Sequence, residues 1–326
     1  MCPTRNAPLV VSLLVGARNG SEIGRKLNFA QSGVAAAGRL KDMPEGPEIR
    51  RAAMRIDKVL HGREAEVVCF GQPHLQHFEQ VLSGERVEWV SSRGKALLTR
   101  FSNDLTLYSH NQLYGRWYIV RRDQLPRTHR TLRVAIHTNT HSALLYSASD
   151  IEVLTPEALP LQKYLARLGP DALDEGVHWR DILALLLAPR FQRRTLAALY
   201  LDQSFVAGIG NYLRSEILFE AKVDPFDRPC DLSRGRLGRL ARATLDLTRQ
   251  SLATAGITNK PSYVARARRA GLSRRHYRFA IFDRQNEACF ACNSRVARLD
   301  VSGRRIYLCK VCQPSVRADA KSREFS

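Results

Sequence analysis

Acid is scarce in this chain. Its 326 residues hold 31 Asp and Glu against 51 Lys and Arg, a formal net charge of +20 with a pI near 10.2. No run approaches the roughly 18 uninterrupted apolar residues of a membrane-spanning helix. No long basic helix carries a lipid-facing stripe, and no segment repeats another. These absences argue against a helical membrane span, a membrane partner and a repeat array. What remains is a globular chain with 44% hydrophobic residues, long enough for two or three domains. Its cationic surface attracts polyanions, nucleic acid first among them.

Cysteine is sparse but patterned. Of seven, Cys2, Cys69 and Cys230 stand apart, and four form the series Cys289-x2-Cys292-x16-Cys309-x2-Cys312. Paired C-x-x-C units in a basic chain read as a metal site rather than a disulfide framework. Each pair places two thiolates on a tight knuckle, and the span between them fits one β-hairpin. Four thiolates satisfy tetrahedral Zn²⁺ with no open position, so one structural zinc ion is expected, and no small-molecule cofactor. Coincidental spacing or a redox pair is the competing account. Thiolate ligands point to a reducing compartment, the cytoplasm or bacterial nucleoid.

Punctuation along the chain suggests an α+β multidomain protein. Short runs rich in Val, Leu and aromatics fall at 64–70, 85–91, 95–101, 105–109, 116–120, 131–138 and 143–147. Turn signals such as Ser83-Gly84 and Arg93-Gly94 separate them. Many short strands at close spacing predict a β-sandwich or barrel over residues 44–165. One helix precedes them, with Pro47 in its first turn and Ile49, Ala52, Ala53, Ile56 and Leu60 at helical spacing. Residues 166–253 turn helical, with helices expected at 181–187, 196–202, 211–220 and 236–252. A basic connector at 254–278 follows, holding six arginines and no acid. A metal-bound hairpin unit is expected at 279–313 and a disordered polar tail at 314–326.

Four further stretches can carry chemistry. In Met43-Pro44-Glu45-Gly46-Pro47-Glu48, a free Pro44 nitrogen would be a secondary amine able to attack an electrophilic carbon, with Glu45 beside it as an acid. Read alone, the sextet leans to a plain turn, because Pro and Gly are common loop residues. Lys95, after Arg93-Gly94, opens a strand, where an ammonium can protonate a leaving group or bind phosphate; most lysines are simply exposed. Gln112, Leu113 and Tyr114 occupy a loop between two strands, and apolar residues there can wedge between stacked bases or fold onto the core. Gly208-Ile209-Gly210-Asn211 permits a tight reversal, with Asn211 capping the next helix and its N–H groups facing a phosphate. An ordinary helix–helix turn explains it as well. Arg304 lies near the hairpin tip expected at Ser302-Gly303.

Together and in this order, these elements resemble the bacterial formamidopyrimidine-DNA glycosylase/endonuclease VIII family. The resemblance runs from Met43 to about Cys312. It rests on Pro-Glu-Gly-Pro-Glu at 44–48, Arg93-Gly94-Lys95, Gly208-Ile209-Gly210-Asn211 and the four-cysteine finger. The Gln112-Leu113-Tyr114 tip is the version of the pyrimidine-directed branch; the purine-directed branch uses other residues there. The family implies an N-terminal helix plus β-sandwich, a helix–two-turns–helix domain and a zinc-finger hairpin, with damaged double-stranded DNA in the cleft. It implies a monomeric base-excision enzyme. In that reading Pro44 is the nucleophile, Glu45 relays protons and Lys95 donates a proton and contacts phosphate. Arg304 holds the phosphates flanking the lesion, Gln112, Leu113 and Tyr114 fill the gap left by an extruded nucleotide, and Arg167 and Asn211 contact DNA.

Two departures stand out: the tail past Cys312 is longer than the family usually has, and the Pro-Glu motif does not open the chain. Residues 1–42 carry six Lys/Arg and two Asp/Glu and precede the motif, so the Pro44 nitrogen is a tertiary amide in the full chain. Residues 1–43 are read as a leader absent from the functional protein. Their apolar stretch after Arg5 only faintly resembles a secretion signal.

Overall fold

The computed structural model describes residues 44–122, 124–301 and 303–317. The leader expected at 1–43 lies outside them, as does the part of the tail from 318 onward.

The described chain begins with α1 (Gly46–Leu60), whose Ile49, Ala53, Ile56 and Leu60 are buried on one face. Pro47 stands in the first turn, where its missing N–H leaves no bond unmade. Then come β1 (Val67–Phe70), the short α2 (Phe78–Leu82), β2 (Val87–Arg93), β3 (Ala96–Phe101), β4 (Thr106–His110), β5 (Arg116–Arg121), β6 (Leu132–His137), β7 (His141–Tyr146) and β8 (Asp150–Leu154). They form two antiparallel four-stranded sheets, ordered β1-β6-β7-β5 and β2-β3-β4-β8. Val68, Val134, Ile136 and Leu145 from one sheet meet Val90, Leu97, Phe101 and Ile151 from the other, and α1 closes the same core. The other face of the second sheet is also covered: Ala96, Leu98 and Tyr108 pack under Leu165. This explains why 96–98 is continuously apolar rather than alternating.

The helical region comprises α3 (Trp179–Leu187), α4 (Pro189–Gln192), α5 (Leu196–Leu199), α6 (Asn211–Glu220) and α7 (Arg234–Ala253). α6 is buried nearly all round, including Arg214, Ser215 and Glu216. The basic segment is more than a connector. It forms α8 (Pro261–Arg269) and α9 (Arg274–Tyr277), with a small core of Ile257, Val264, Ala267 and Tyr277. The last elements, β9 (Ala297–Val301) and β10 (Arg304–Leu308), pair as a hairpin. Its Ile306 and Tyr307, with Phe279, Ile281 and Phe282, continue the core of α6 and α7. The Glu216 carboxylate ties these parts together, accepting the Ala280, Ile281 and Phe282 amides, each at 2.8 Å, and the Thr258 hydroxyl at 2.6 Å.

The polar tail starts later than residue 314. Ser315 Oγ donates to Asp227 at 2.8 Å and the Val316 amide to the same carboxylate at 3.3 Å, which anchors the first tail residues to the helical region. No described helix is long and apolar enough to cross a membrane.

Candidate active site

Pro44 and Glu45 lie at the entrance to α1, pressed against the 208–210 turn of the helical region. The Gly46 amide donates to the Gly208 carbonyl at 2.7 Å. A β-carbon on Gly46 would stand 3.0 Å from Gly208 Cα, and Gly208 itself has φ +89. Both glycines are therefore required by the close approach of two backbones.

This contact delivers the Glu45 side chain to the start of α6. Its buried carboxylate accepts the amides of Gly210 at 2.7 Å, Tyr212 at 2.8 Å and Leu213 at 3.3 Å. A helix N-terminus has unpaired N–H groups that favour a carboxylate. Asn211, expected to cap α6, does not: the cap position is Gly210, and Asn211 is the first helical residue. Glu45 from the sandwich takes the capping role, and Asn211 Oδ1 is buried without a hydrogen-bond partner.

Lys95 arrives at the same turn from the other side. Gly94 turns the chain between β2 and β3 with φ +59, its amide donating to Asp171 Oδ2 at 2.8 Å. The Lys95 amide donates to Tyr164 Oη at 2.9 Å, and its Nζ donates to the Ile209 carbonyl at 2.7 Å. Burial pushes the Glu45 carboxyl up to about 8, outweighing the nearby Lys95 charge. Burial pulls the Lys95 ammonium down, opposed by Glu45 and reinforced by Arg304. Burial thus favours the neutral form of both groups.

A second layer supports these two. The Glu48 carboxylate accepts the Glu45 amide at 3.2 Å and the Tyr212 hydroxyl at 3.1 Å, and pairs with Arg278 at 3.7 Å. Arg304 is exposed at the start of β10, within electrostatic reach of Lys95 and Arg214. The fully buried Arg214 donates to the Ala197 carbonyl at 2.8 Å and to the Arg305 carbonyl at 3.0 Å. Burial lowers its guanidinium to about 10. Arg214 therefore holds the β10 backbone one residue from Arg304. Glu48, Asp171, Arg214 and Glu216 escaped the sequence reading as site residues. Three adjacent polar residues, Arg214-Ser215-Glu216, between the apolar residues of α6 were the available signal for Arg214 and Glu216.

The loop after β4 is built for exposure. Leu113 and Tyr114 are 50% and 67% exposed, and Gln112 has φ +48. The Gly115 amide closes the turn on the Asn111 carbonyl at 2.7 Å, Ser149 Oγ donates to Gln112 Oε1 at 3.0 Å, and Arg130 donates to the Tyr114 carbonyl. His110 Nδ1 accepts the Gln112 amide at 3.1 Å, and its ring meets Tyr164 edge-on at 4.9 Å. Burial and the Lys95 charge pull His110 down to about 4, so it stays neutral and keeps that acceptor. Arg167 is exposed at the end of a short 3-10 turn and makes no side-chain hydrogen bond or ion pair among the described residues.

Cys289, Cys292, Cys309 and Cys312 converge with all sulfurs within 4.8 Å of one another. The Cys289–Cys312 and Cys292–Cys309 separations are 3.8 and 3.4 Å. Sulfurs at about 2.3 Å from a tetrahedral zinc ion would lie about 3.8 Å apart, so the donor set fits that ion.

Two family models match the chain. The formamidopyrimidine-DNA glycosylase N-terminal domain covers residues 43–149, and the H2TH domain of the same glycosylase covers residues 168–262. Endonuclease 8 of Escherichia coli O6:K15:H31 is 45% identical over 271 residues, 83% of this chain and 100% of the relative. The chain belongs to the formamidopyrimidine-DNA glycosylase/endonuclease VIII family. Endonuclease 8 of Salmonella arizonae is 44% identical over the same shares of the two chains. The family fold is seen in the Lactococcus lactis formamidopyrimidine-DNA glycosylase non-covalently bound to DNA with an AP site. That structure has a TM-score of 0.69 at 18% identity, covering 83% of this chain and 100% of that one.

Proposed function

We propose that this chain is a base-excision repair DNA glycosylase and AP lyase that removes oxidised pyrimidines from double-stranded DNA and then nicks the strand. The observation that carries the reading is the meeting of Glu45, beside Pro44, with Lys95 on one turn of the helical domain. In a chain that starts at Pro44, the proline nitrogen attacks the sugar C1′. The C1′–base bond breaks, its electron pair leaves with the base, and a proton is supplied through Glu45. Loss of the ammonium proton leaves a neutral aminal; the C1′–O4′ bond then breaks, O4′ leaving with its electron pair and taking up a proton, and the opened sugar is joined to Pro44 as an iminium ion. This acidifies C2′, whose deprotonation expels the 3′ phosphate by β-elimination, and a second elimination expels the 5′ phosphate.

The protein's other groups position the duplex. Lys95 and Arg304 supply cations for phosphates on either side of the lesion, and Arg167 and Asn211 extend those contacts. Gln112, Leu113 and Tyr114 enter the stack where the damaged nucleotide leaves it. The four cysteines hold one zinc ion, which when bound fixes the fold of the hairpin that carries Arg304. The enzyme is read as a monomer acting on the bacterial nucleoid. A second reading, a damage-binding protein without catalysis, follows if the chain keeps residues before Pro44, because the nitrogen is then acylated.

The test is a nicking assay on a duplex carrying one oxidised pyrimidine, using protein starting at Pro44. Cleavage with base release is expected; binding without release, although the Pro44 nitrogen is free, would overturn the catalytic reading. Release of oxidised purines alone would move the chain to the purine-directed branch.

A further inference from the structure

The basic segment after α7 has no role in the chemistry above, yet it is folded and unusually charged. From residue 247 to residue 282 there is no Asp or Glu, while Arg249, Lys260, Arg266, Arg268, Arg269, Arg274, Arg275 and Arg278 are all cationic. Among the described residues only Arg278 of these forms an ion pair, with Glu48. Arg266, Arg268, Arg269, Arg274 and Arg275 are exposed and have no acidic partner. Like charges also crowd together: Arg51, Arg268 and Arg278 all press on Arg274, which burial and these neighbours hold below the usual arginine range. Stabilising the C-terminus of α8 calls for one such cation, not this many.

The arginines are held on a rigid base. Val264, Ala267 and Tyr277 pack into the small core of the segment, and the Arg266 and Arg268 guanidiniums lie over the Tyr263 and Tyr277 rings, each at 5.4 Å. Tyr263 stacks on Phe290 of the first metal knuckle at 4.2 Å, which docks α8 on the metal-bound unit. On the other side, Gln250 Nε2 donates to the Asn259 carbonyl at 2.8 Å, and Thr258 is bonded to Glu216. The backbone that carries the arginines is therefore fixed, and Arg278 on it pairs with Glu48, one hydrogen bond from Glu45.

We infer that α8 and α9 form a second clamp for the DNA backbone, outside the lesion site, in which Arg266, Arg269 and Arg275 neutralise backbone phosphates. The dense negative charge of a duplex backbone favours a cluster of exposed cations with no acids among them. The inference rests on the reading of this chain as an enzyme of duplex DNA. It adds a footprint that the reaction itself does not require.

The test uses the full zinc-loaded chain and its triple variant Arg266→Gln, Arg269→Gln, Arg275→Gln. None of these three side chains makes a hydrogen bond or ion pair among the described residues, so the fold should persist, as checked by metal content and circular dichroism. Binding to an undamaged duplex is measured across a salt series. Each lost phosphate contact lowers the slope of log K against log salt by about 0.9, so a fall of two to three units is expected, with at least a tenfold loss of affinity near 100 mM salt. The corresponding Arg→Lys triple should recover the slope. An unchanged slope in the Gln triple overturns the clamp, as does a Lys triple no better than the Gln triple. Arginine-dependent binding to phosphatidylserine vesicles with an unaltered DNA slope would also overturn it. A wild-type protein starting at Pro44 that binds duplex steeply but is never trapped on lesion DNA would instead count against the catalytic reading and leave the clamp intact.

Discussion

Glu45 and Lys95 hold opposite ends of one peptide group. The Ile209–Gly210 amide receives the Lys95 ammonium on its carbonyl at 2.7 Å and gives its N–H to the Glu45 carboxylate at 2.7 Å. Both side chains belong to the sandwich, and the peptide belongs to the helical domain. The acid and the amine are thus set by the same docking event, and separating the two domains would release both at once.

The first consequence is a pH dependence. Glu45 can supply a proton only while it carries one, and burial places its pKa at about 8. Excision should therefore decline as pH rises through about 8. In Glu45→Gln the rate of base removal should drop by about 10²- to 10⁴-fold and the alkaline decline should vanish. Trapping on a pre-formed abasic site should survive, since the amine is untouched. Single-turnover rates from pH 6 to 10 check this; an identical alkaline limb in the variant would assign the titration to another group.

Gly210 is the most constrained position of the turn. A β-carbon there would lie 2.5 Å from Glu45 Cδ. Gly210→Ala should push the carboxylate off the α6 amides and slow excision by about 100-fold, the usual consequence of misplacing a catalytic group by about 1 Å. Zinc content and duplex affinity should stay near wild type. Full activity in the variant would show that the Glu45 position in this structure is not the working one.

Much of this arrangement was legible in the chain. The strands from β2 to β7 announce themselves through Val, Leu and aromatic runs between turn signals, and α1 through its apolar spacing. β8 escaped because its run, Asp150-Ile151-Glu152-Val153-Leu154, alternates with acids on an edge strand and reads as polar. The Asn211 cap was a sound local preference overruled from a distance, since the Tyr212 amide is bonded to Glu45 across 167 residues. Glu216 and Asp171 were invisible for the same reason: their partners lie on other elements, and no local pattern encodes them. The order of α8 and α9 depends on four buried side chains scattered among arginines, too few to stand out by periodicity.

Metal binding should govern the hairpin. Replacing Cys309 with Ser removes one of four converging sulfurs. The variant should lose zinc and release the β9–β10 hairpin, and duplex affinity should fall as Arg304 loses its place. Metal analysis and binding isotherms report the two effects separately. Full zinc occupancy with normal affinity would remove Cys309 from the ligand set.

The exposed tip should matter for extruding a base and not for later steps. Leu113→Ala combined with Tyr114→Ala removes side chains that contribute little to the core, being 50% and 67% exposed. Base removal from a paired lesion should slow, while cleavage at a pre-formed abasic site, which has no base to extract, should change far less. Equal losses on both substrates would point to a general disturbance of the fold.

The nucleophile itself depends on where the chain begins. Imine chemistry needs a lone pair on the Pro44 nitrogen, and in an amide that pair is delocalised into the carbonyl. No tuning of pKa by the surrounding site restores it, because the obstacle is covalent. A chain retaining residues 1–43 should bind lesion DNA without forming an imine. A chain starting at Pro44, after initiation at Met43 and removal of that Met, should be trapped by borohydride on the same DNA. Pro44→Gly in the short form should keep partial trapping through its primary amine. The comparison is made between purified long and short forms, with the leader of the long form verified by mass before and after the reaction. If the intact long form is trapped as efficiently as the short one, the covalent bond is made elsewhere, and Pro44 is not the nucleophile.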